Sequence, residues 1–365
     1  MEKAKLGVSQ LFALICLFEF GSAIVVGLGM QAKQDAWLAI LIGMIGGMAL
    51  FAVYNSLFRL HPEIPLTGYI PKIVGVWIGY PLSVAYILYF MYIAARVLRD
   101  LGALLLTSKL DRTPMSVINL MIILIVIYAI VLGIETLGRA GEFFLAVMIL
   151  CLVAGAVSAF ASGIIHPENL APVLENGWKL VLTTAFPLTL TFPFGEMIVF
   201  TMLLPYLNQP ARSAKTGMTA LLSCGLILGF IRAVDISVLG LQKAGTSLFP
   251  LLETLSKVNI GNVIQRLDAI VIMILVIGGF FKIAVFTYAA ALGISHTFKL
   301  RNRSLLAIFV GLAVWVASLF IARNVLEHLE TGLSIVPFYL HLPLQAGIPV
   351  LLLVLAWIRT KMGMR

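Results

Sequence analysis

The chain has 365 residues, of which 61% are hydrophobic and only 11% charged, against about a quarter charged in soluble domains. No soluble fold hides that much apolar surface. The formal net charge of +9 comes from Lys and Arg scattered through short polar segments, with no basic patch interleaved with aromatics, which argues against nucleic acid and for a role in membrane topology.

Apolar windows bounded by charge, proline or glycine predict an all-α integral membrane protein of about ten spans. Their limits fall near 9–31, 36–58, 79–106, 115–134, 140–164, 180–206, 214–239, 264–296, 304–322 and 336–358. Met1 to Leu6 with the apolar run after it could pass for a secretory signal, but the run outlasts one and is assigned to span one. An even count places both termini on one side. With cytoplasmic ends, the inner segments hold thirteen Lys and Arg, from Lys3 through the cluster Lys299, Arg301 and Arg303 to Arg365. The outer segments hold eight, Lys109 and Arg266 among them, so the positive-inside rule puts both termini in the cytoplasm. Two connecting stretches are more than turns. Residues 61–77, with Pro62, Pro65 and Pro71, are expected along the inner surface. Residues 240–261 are expected to form short helices at the outer face, either a lid over a site or an inert interfacial element.

Two spans are interrupted at their centres, nearly half the chain apart. The first break is Phe18-Glu19-Phe20-Gly21-Ser22-Ala23 and the second runs from Phe186-Pro187 to Phe192-Pro193-Phe194-Gly195-Glu196. Inside a bilayer a freed backbone N–H or C=O costs several kcal/mol, so a helix breaks there only where protein, water or ligand satisfies it. Matched interruptions in two halves point to a small-molecule site of the kind secondary transporters build, and the N-terminus of a half-helix suits a carboxylate. Gly43-Met44-Ile45-Gly46-Gly47 is a close-packing motif. Gly27-Leu28-Gly29-Met30-Gln31-Ala32 imitates a dinucleotide fingerprint but lies in a span with no strand before it.

Charge at membrane depth needs a partner. Glu19 precedes the first break, Glu196 follows the second, and Lys282 sits mid-span in span eight with no acid within a helical turn, so its partner must come from another helix. Arg96 with Asp100, and Arg232 with Asp235, are spaced to pair on one helical face. Arg266 and Asp268 flank the entry to span eight. Cys16, Cys151 and Cys224 lie in apolar segments without ligand spacing and are expected to be packing residues. The histidines show no HxxxH or HExxH spacing, and Glu327, His328 and Glu330 look like a solvated loop. Neither GxSxG nor GxxxxGK[ST] occurs, so no enzyme, cofactor or metal site is expected.

The sequence also resembles a known family. Gln10, Gly21-Ser22, Asp35-Ala36-Trp37-Leu38, Phe194-Gly195-Glu196, Phe249-Pro250-Leu251-Leu252-Glu253 and Arg266-Leu267-Asp268-Ala269 look like the B subunits of spore-germination nutrient receptors. Those proteins are permease-like members of the amino acid, polyamine and organocation transporter superfamily. The resemblance implies a LeuT-like fold in one membrane domain, with inverted repeats over 1–175 and 176–365. It implies a nutrient-sensing role in the inner membrane of an endospore, a small germinant, often an amino acid, and association with an A-type membrane subunit and a C-type lipoprotein. Carried onto this chain, it assigns ligand binding to Gly21, Ser22, Ala23, Phe194 and Gly195. Spans three and eight complete the pocket in that fold, and helical spacing selects Tyr89, Ile93, Gly278, Lys282 and Phe286 as the facing positions. Sodium-coupled members hold a cation between the first break and span eight, where the Lys282 ammonium could take its place. A sensor, a proton-coupled or exchanging amino-acid importer, and a ligand-triggered pore all remain open, since one scaffold hosts all three.

Overall fold

Helix ends follow the breakers in the sequence. In the computed structural model, which describes residues 5–108, 112–261, 264, 265 and 267–361, α1 (Val8–Phe20) stops at Gly21. A 3-10 turn, Met30–Asp35, leads into α2 (Ala36–Leu60). Pro65 precedes α3 (Leu66–Val74), and Gly75 separates it from α4 (Val76–Ser108). Pro114 caps α5 (Met115–Val131) and Gly133 caps α6 (Ile134–Ala161). Span six begins as α7 (Gly177–Thr184), widens into a π turn at Ala185–Thr189, and resumes after the break as a 3-10 helix, Phe194–Met202. Next come α8 (Ser213–Leu239), α9 (Leu241–Thr246), α10 (Pro250–Ser256) and an antiparallel hairpin of β1 (Asn259–Ile260) and β2 (Ile264–Gln265). The chain closes with α11 (Asp268–Phe298), α12 (Arg303–Phe320), α13 (Val325–Glu330), π turns over Thr331–Ile335 and Pro337–Gly347, and α14 (Ile348–Lys361). Lys3, Lys109, Arg266 and Arg365 lie outside the described residues, and so does the first position of the Arg266-Leu267-Asp268-Ala269 motif.

Among the described residues, eight helical stretches are long and apolar enough to cross a membrane. The two shorter apolar helices, α1 and α5, stand where spans one and four were expected. This is a multi-pass membrane protein. Phe143, Phe160, Phe309 and Phe320 face outward, where acyl chains solvate them. Inside, α4 lies along α11, and α1 is enclosed by α6, α8 and α11. The ring of Phe18 meets Phe286 at 5.0 Å and Phe200 at 5.2 Å, joining spans one, six and eight.

The glycines of α2 seat the broken span six. A Cβ at Gly43, Gly46 or Gly47 would collide with Thr189, Leu190 or Phe194 respectively. Because the backbones approach so closely, Thr189 Oγ1 donates to Ala39 O at 2.6 Å.

One expectation needs correction, and two connecting stretches take definite places. α3, in the stretch expected along the inner surface, packs one face inward: Leu66, Thr67, Tyr69 and Ile70 are buried and Ser83 Oγ donates to Thr67 O at 3.0 Å, while Glu63 and Lys72 stay exposed. His328 is no solvated loop residue; α13 tucks it inward until it is 1% exposed. Residues 240–261 do form short helices, but α10 buries Leu251, Thr254 and Leu255 against α8 and α11 and contributes nothing to the cavity described below. The three cysteines are buried and free, as expected.

Candidate functional site

The Gly21 N–H completes α1 by donating to Leu17 O at 3.1 Å, and the backbone then turns at φ +23°, a conformation open to glycine. Isolated turns follow, with Ile24 N–H on Phe20 O at 3.0 Å and Val26 N–H on Ser22 O at 3.2 Å. The Val26 carbonyl, which already accepts from Leu28 N–H at 2.7 Å, accepts also from Arg232 Nη2 at 2.5 Å. Arg232 pairs with Asp235 at 3.2 Å, as its spacing predicted, and Thr254 Oγ1 donates to Asp235 Oδ1 at 2.7 Å. A buried side-chain network therefore ties the backbone after the break to α8 and α10.

α11 packs directly on this break. A Cβ at Gly278 would stand 3.0 Å from Gly21 N. One turn on, the aliphatic stem of Lys282 passes Gly21, and its ammonium pairs with Glu196 Oε2 from the second break. Both side chains are fully buried. The rings of Phe18 and Phe192 lie 4.8 and 4.9 Å from Lys282 Nζ, so aromatic faces flank the ammonium. The partner that Lys282 required is thus Glu196, and it ties the two breaks together.

Behind the second break stands a hydrogen-bonded cluster from span ten. Tyr54 Oη lies 2.6 Å from Gln345 O and 3.1 Å from Gly195 O. Gln345 Nε2 donates to Tyr89 Oη at 2.6 Å, and Tyr89 Oη meets His341 Nδ1 at 2.7 Å. A Cβ at Gly195 would collide with Gln345 Oε1, so only glycine fits here. Tyr54→Phe removes the hydroxyl that serves both carbonyls. It should cost about 1–3 kcal/mol, read as a lower melting temperature of the purified protein in lipid nanodiscs. An unchanged melting temperature would show that the hydroxyl ties nothing together.

Between the breaks and α4 lies a cavity of about 40 Å³, lined by Ser22, Val26, Ile93, Arg96, Val97, Phe192, Glu196 and His341 and bounded by Asp100, Leu329, Gly332 and Leu333. A cavity needs about 10–15 Å³ to hold one water, so this one has room for no more than a few waters. Arg96 gives it a cationic wall, and Glu196 and Asp100 are its anionic groups. Arg96 and Asp100, expected to bond each other, both reach α13: Arg96 Nη2 donates to His328 O at 2.5 Å, and His328 Nε2 lies 2.8 Å from Asp100 Oδ1. A cap made of α13 and the turn after it therefore covers the cavity.

The residues selected from the sequence take different places around this cavity. Ser22 and Ile93 line it. Gly21, Gly278 and Lys282 form the close contact of break and α11, while Tyr89 and Gly195 reach it through His341 and Gln345. Ala23 is buried in the core, Phe286 packs on Phe18 and on Phe90 at 6.0 Å, and Phe194 fills the notch at Gly47; none of the three lines the cavity. Sequence reasoning did not select Arg96, His341 or Gln345 for the site. The last two are four residues apart in an apolar span, a polar pair on one helical face that could have been read.

A family model described as "Spore germination protein" matches residues 5–326. Spore germination protein KB of Bacillus subtilis (strain 168) is 41% identical over 356 residues, covering 98% of this chain and 95% of that protein. Spore germination protein A2 of the same organism is 23% identical, over 84% of this chain and 85% of its own. Among solved structures, MhsT in complex with L-phenylalanine aligns with a TM-score of 0.70 at 13% identity, covering 98% of this chain and 89% of its own. Mhp1, a nucleobase-cation-symport-1 family transporter in a closed conformation with bromovinylhydantoin bound, aligns with a TM-score of 0.74 at 14% identity, over 96% and 78%. At such identities these two likenesses establish the fold alone, a LeuT-like bundle with helices one and six broken.

Proposed function

The chain belongs to the spore germination protein family, and from that premise we propose that it is the germinant-sensing subunit of a receptor in the spore inner membrane. It takes a small molecule, an amino acid, into the cavity between the broken spans. There Gly21, Ser22 and Ala23 and Phe194 and Gly195 supply the breaks, while Tyr89, Ile93, Gly278, Lys282 and Phe286 complete or support the walls. The observation that carries this is the cavity itself: Arg96 and Glu196 face the same small space beside Ser22, opposite charges placed to hold the two ends of a zwitterion. An A-type membrane subunit and a C-type lipoprotein assemble with it, both termini are cytoplasmic, and residues 1–175 and 176–365 form inverted repeats.

A sensor needs only differential affinity between two arrangements of its helices. Its small cavity must widen at the α13 cap to admit a ligand and tightens around it afterwards. The second reading, a proton-coupled or exchanging amino-acid transporter, stands beside it because one fold hosts both roles. Deleting the gene and scoring germination on single nutrients identifies the ligand. Labelled amino acid is then offered to the purified protein in proteoliposomes under an imposed proton gradient, with a parallel sample holding the partner subunits. Binding without accumulation is the expected result; concentrative uptake that Gly21→Leu abolishes would make the protein an importer.

A further inference from the structure

Glu19 ends the last turn of α1, is fully buried, and has no hydrogen-bond partner on either carboxylate oxygen. Such a group is costly anywhere and more so at bilayer depth. The titratable groups that face it are Lys282 of α11 and Glu196 of span six, with Cys16 on its own helix and Cys224 on α8. Near Gly278, α6 presents Met148, which brings no charge. The buried cluster thus holds two carboxyl groups and one ammonium, and Lys282 already pairs with Glu196. Among the described residues, no three of His, Cys, Asp or Glu converge to hold a metal ion.

We propose that Glu19, Glu196 and Lys282 form a buried binding site for a single proton, in which one carboxylate neutralises Lys282 and the other, Glu19 in the present arrangement, carries the proton. Across the cavity Glu196 also faces Arg96 and Asp100, whose opposite charges offset each other; within the cluster one ammonium balances one carboxylate, and the second carboxyl group, lacking any donor, stays neutral. Glu196 also lines the cavity, whereas Glu19 does not. A ligand that draws Glu196 into the cavity therefore leaves Lys282 to Glu19, whose carboxyl O–H bond breaks and whose proton passes to solvent. That consequence rests on the cavity being the ligand site; the proton site itself does not.

The test is infrared spectroscopy of the purified full-length protein in lipid vesicles, reading the carbonyl stretch of protonated carboxylic acids. The wild type should show this band at neutral pH. Glu19→Gln should abolish it, and Glu196→Gln should abolish it too, since Glu19 then becomes the counter-ion of Lys282. Lys282→Met, which leaves both carboxyl groups to be neutralised by protons, should double it. The proposal is overturned by a wild type without the band, by a band that survives Glu19→Gln unchanged, or by a wild-type band removed by added sodium or potassium at constant pH, which would mark a metal-cation site. Should Glu19→Gln fail to insert, Lys282→Met against wild type decides the matter, because an undoubled band sinks the charge count.

Discussion

Gly21→Leu and Gly195→Leu are each expected to abolish the response to germinant while the protein still reaches the membrane. At Gly21 a Cβ would lie 2.5 Å from Lys282 Cδ and 2.8 Å from Phe18 O, on a backbone at φ +23° that L side chains rarely adopt. Leucine there pushes α11 off the break and parts Lys282 from Glu196. At Gly195 the added carbon meets Gln345 Oε1, so the Gln345 amide must swing away and its hydrogen bond to Tyr89 goes with it. Neither change adds charge or shortens an apolar span, so insertion should hold. Gly163→Leu is the control: its φ is +63°, but nothing lies within 4 Å of the added carbon, so it imposes backbone strain without a collision. Immunoblots of spore membranes beside germination dose curves give the comparison. Normal curves for both site variants would remove the site from the two breaks.

Lys282→Met should destabilise the protein strongly and silence it. Removing one partner of a buried ion pair leaves the other charged and dry, at a cost of about 3–5 kcal/mol. Part of that cost is relieved when Glu196 takes up a proton. Lys282→Met combined with Glu196→Gln removes both charges and should recover most of the melting temperature of the purified protein without restoring the response. A pair that only held the helices together would let the double variant respond as well, so the two readouts separate fold from function. The response of the unsubstituted protein should be the same in sodium-free and sodium-rich buffer, because the ammonium of Lys282 already lies against the break where sodium-coupled relatives of the fold hold their ion. A strict sodium requirement would defeat that substitution.

How the site was found, and where it was mistaken, follows from the range of each interaction. Gly21 and Gly195 were legible because glycine and proline in the middle of an apolar run have few other physical explanations. Lys282 was legible as a problem without a solution: helical spacing excluded a partner on α11, yet nothing in the sequence names Glu196. Arg96 and Asp100 misled for the opposite reason. Their spacing fits a local pair, but His328, more than two hundred positions later, offers a carbonyl to one and a ring nitrogen to the other. The same contact turned His328 from an apparent solvated loop residue into the buried root of the cap over the cavity, while Glu327 and Glu330 stay exposed. Phe194 belongs to the break, but its side chain fills the notch left by Gly47, a pairing only the crossing of α2 and span six creates.

Composition, the lengths of apolar runs and the placement of breakers are properties of neighbouring residues, and they alone determined a multi-pass helical membrane protein with two interrupted spans. Membrane burial makes those local rules strict, since each backbone group must be satisfied within its own segment or visibly fail to be. Which freed groups meet which side chains depends on the angles and depths at which distant helices cross. That is why the Lys282–Glu196 pair, the Tyr54, Tyr89, His341 and Gln345 cluster, the partnerless carboxyl of Glu19 and the cap over the cavity were decided only by the tertiary structure.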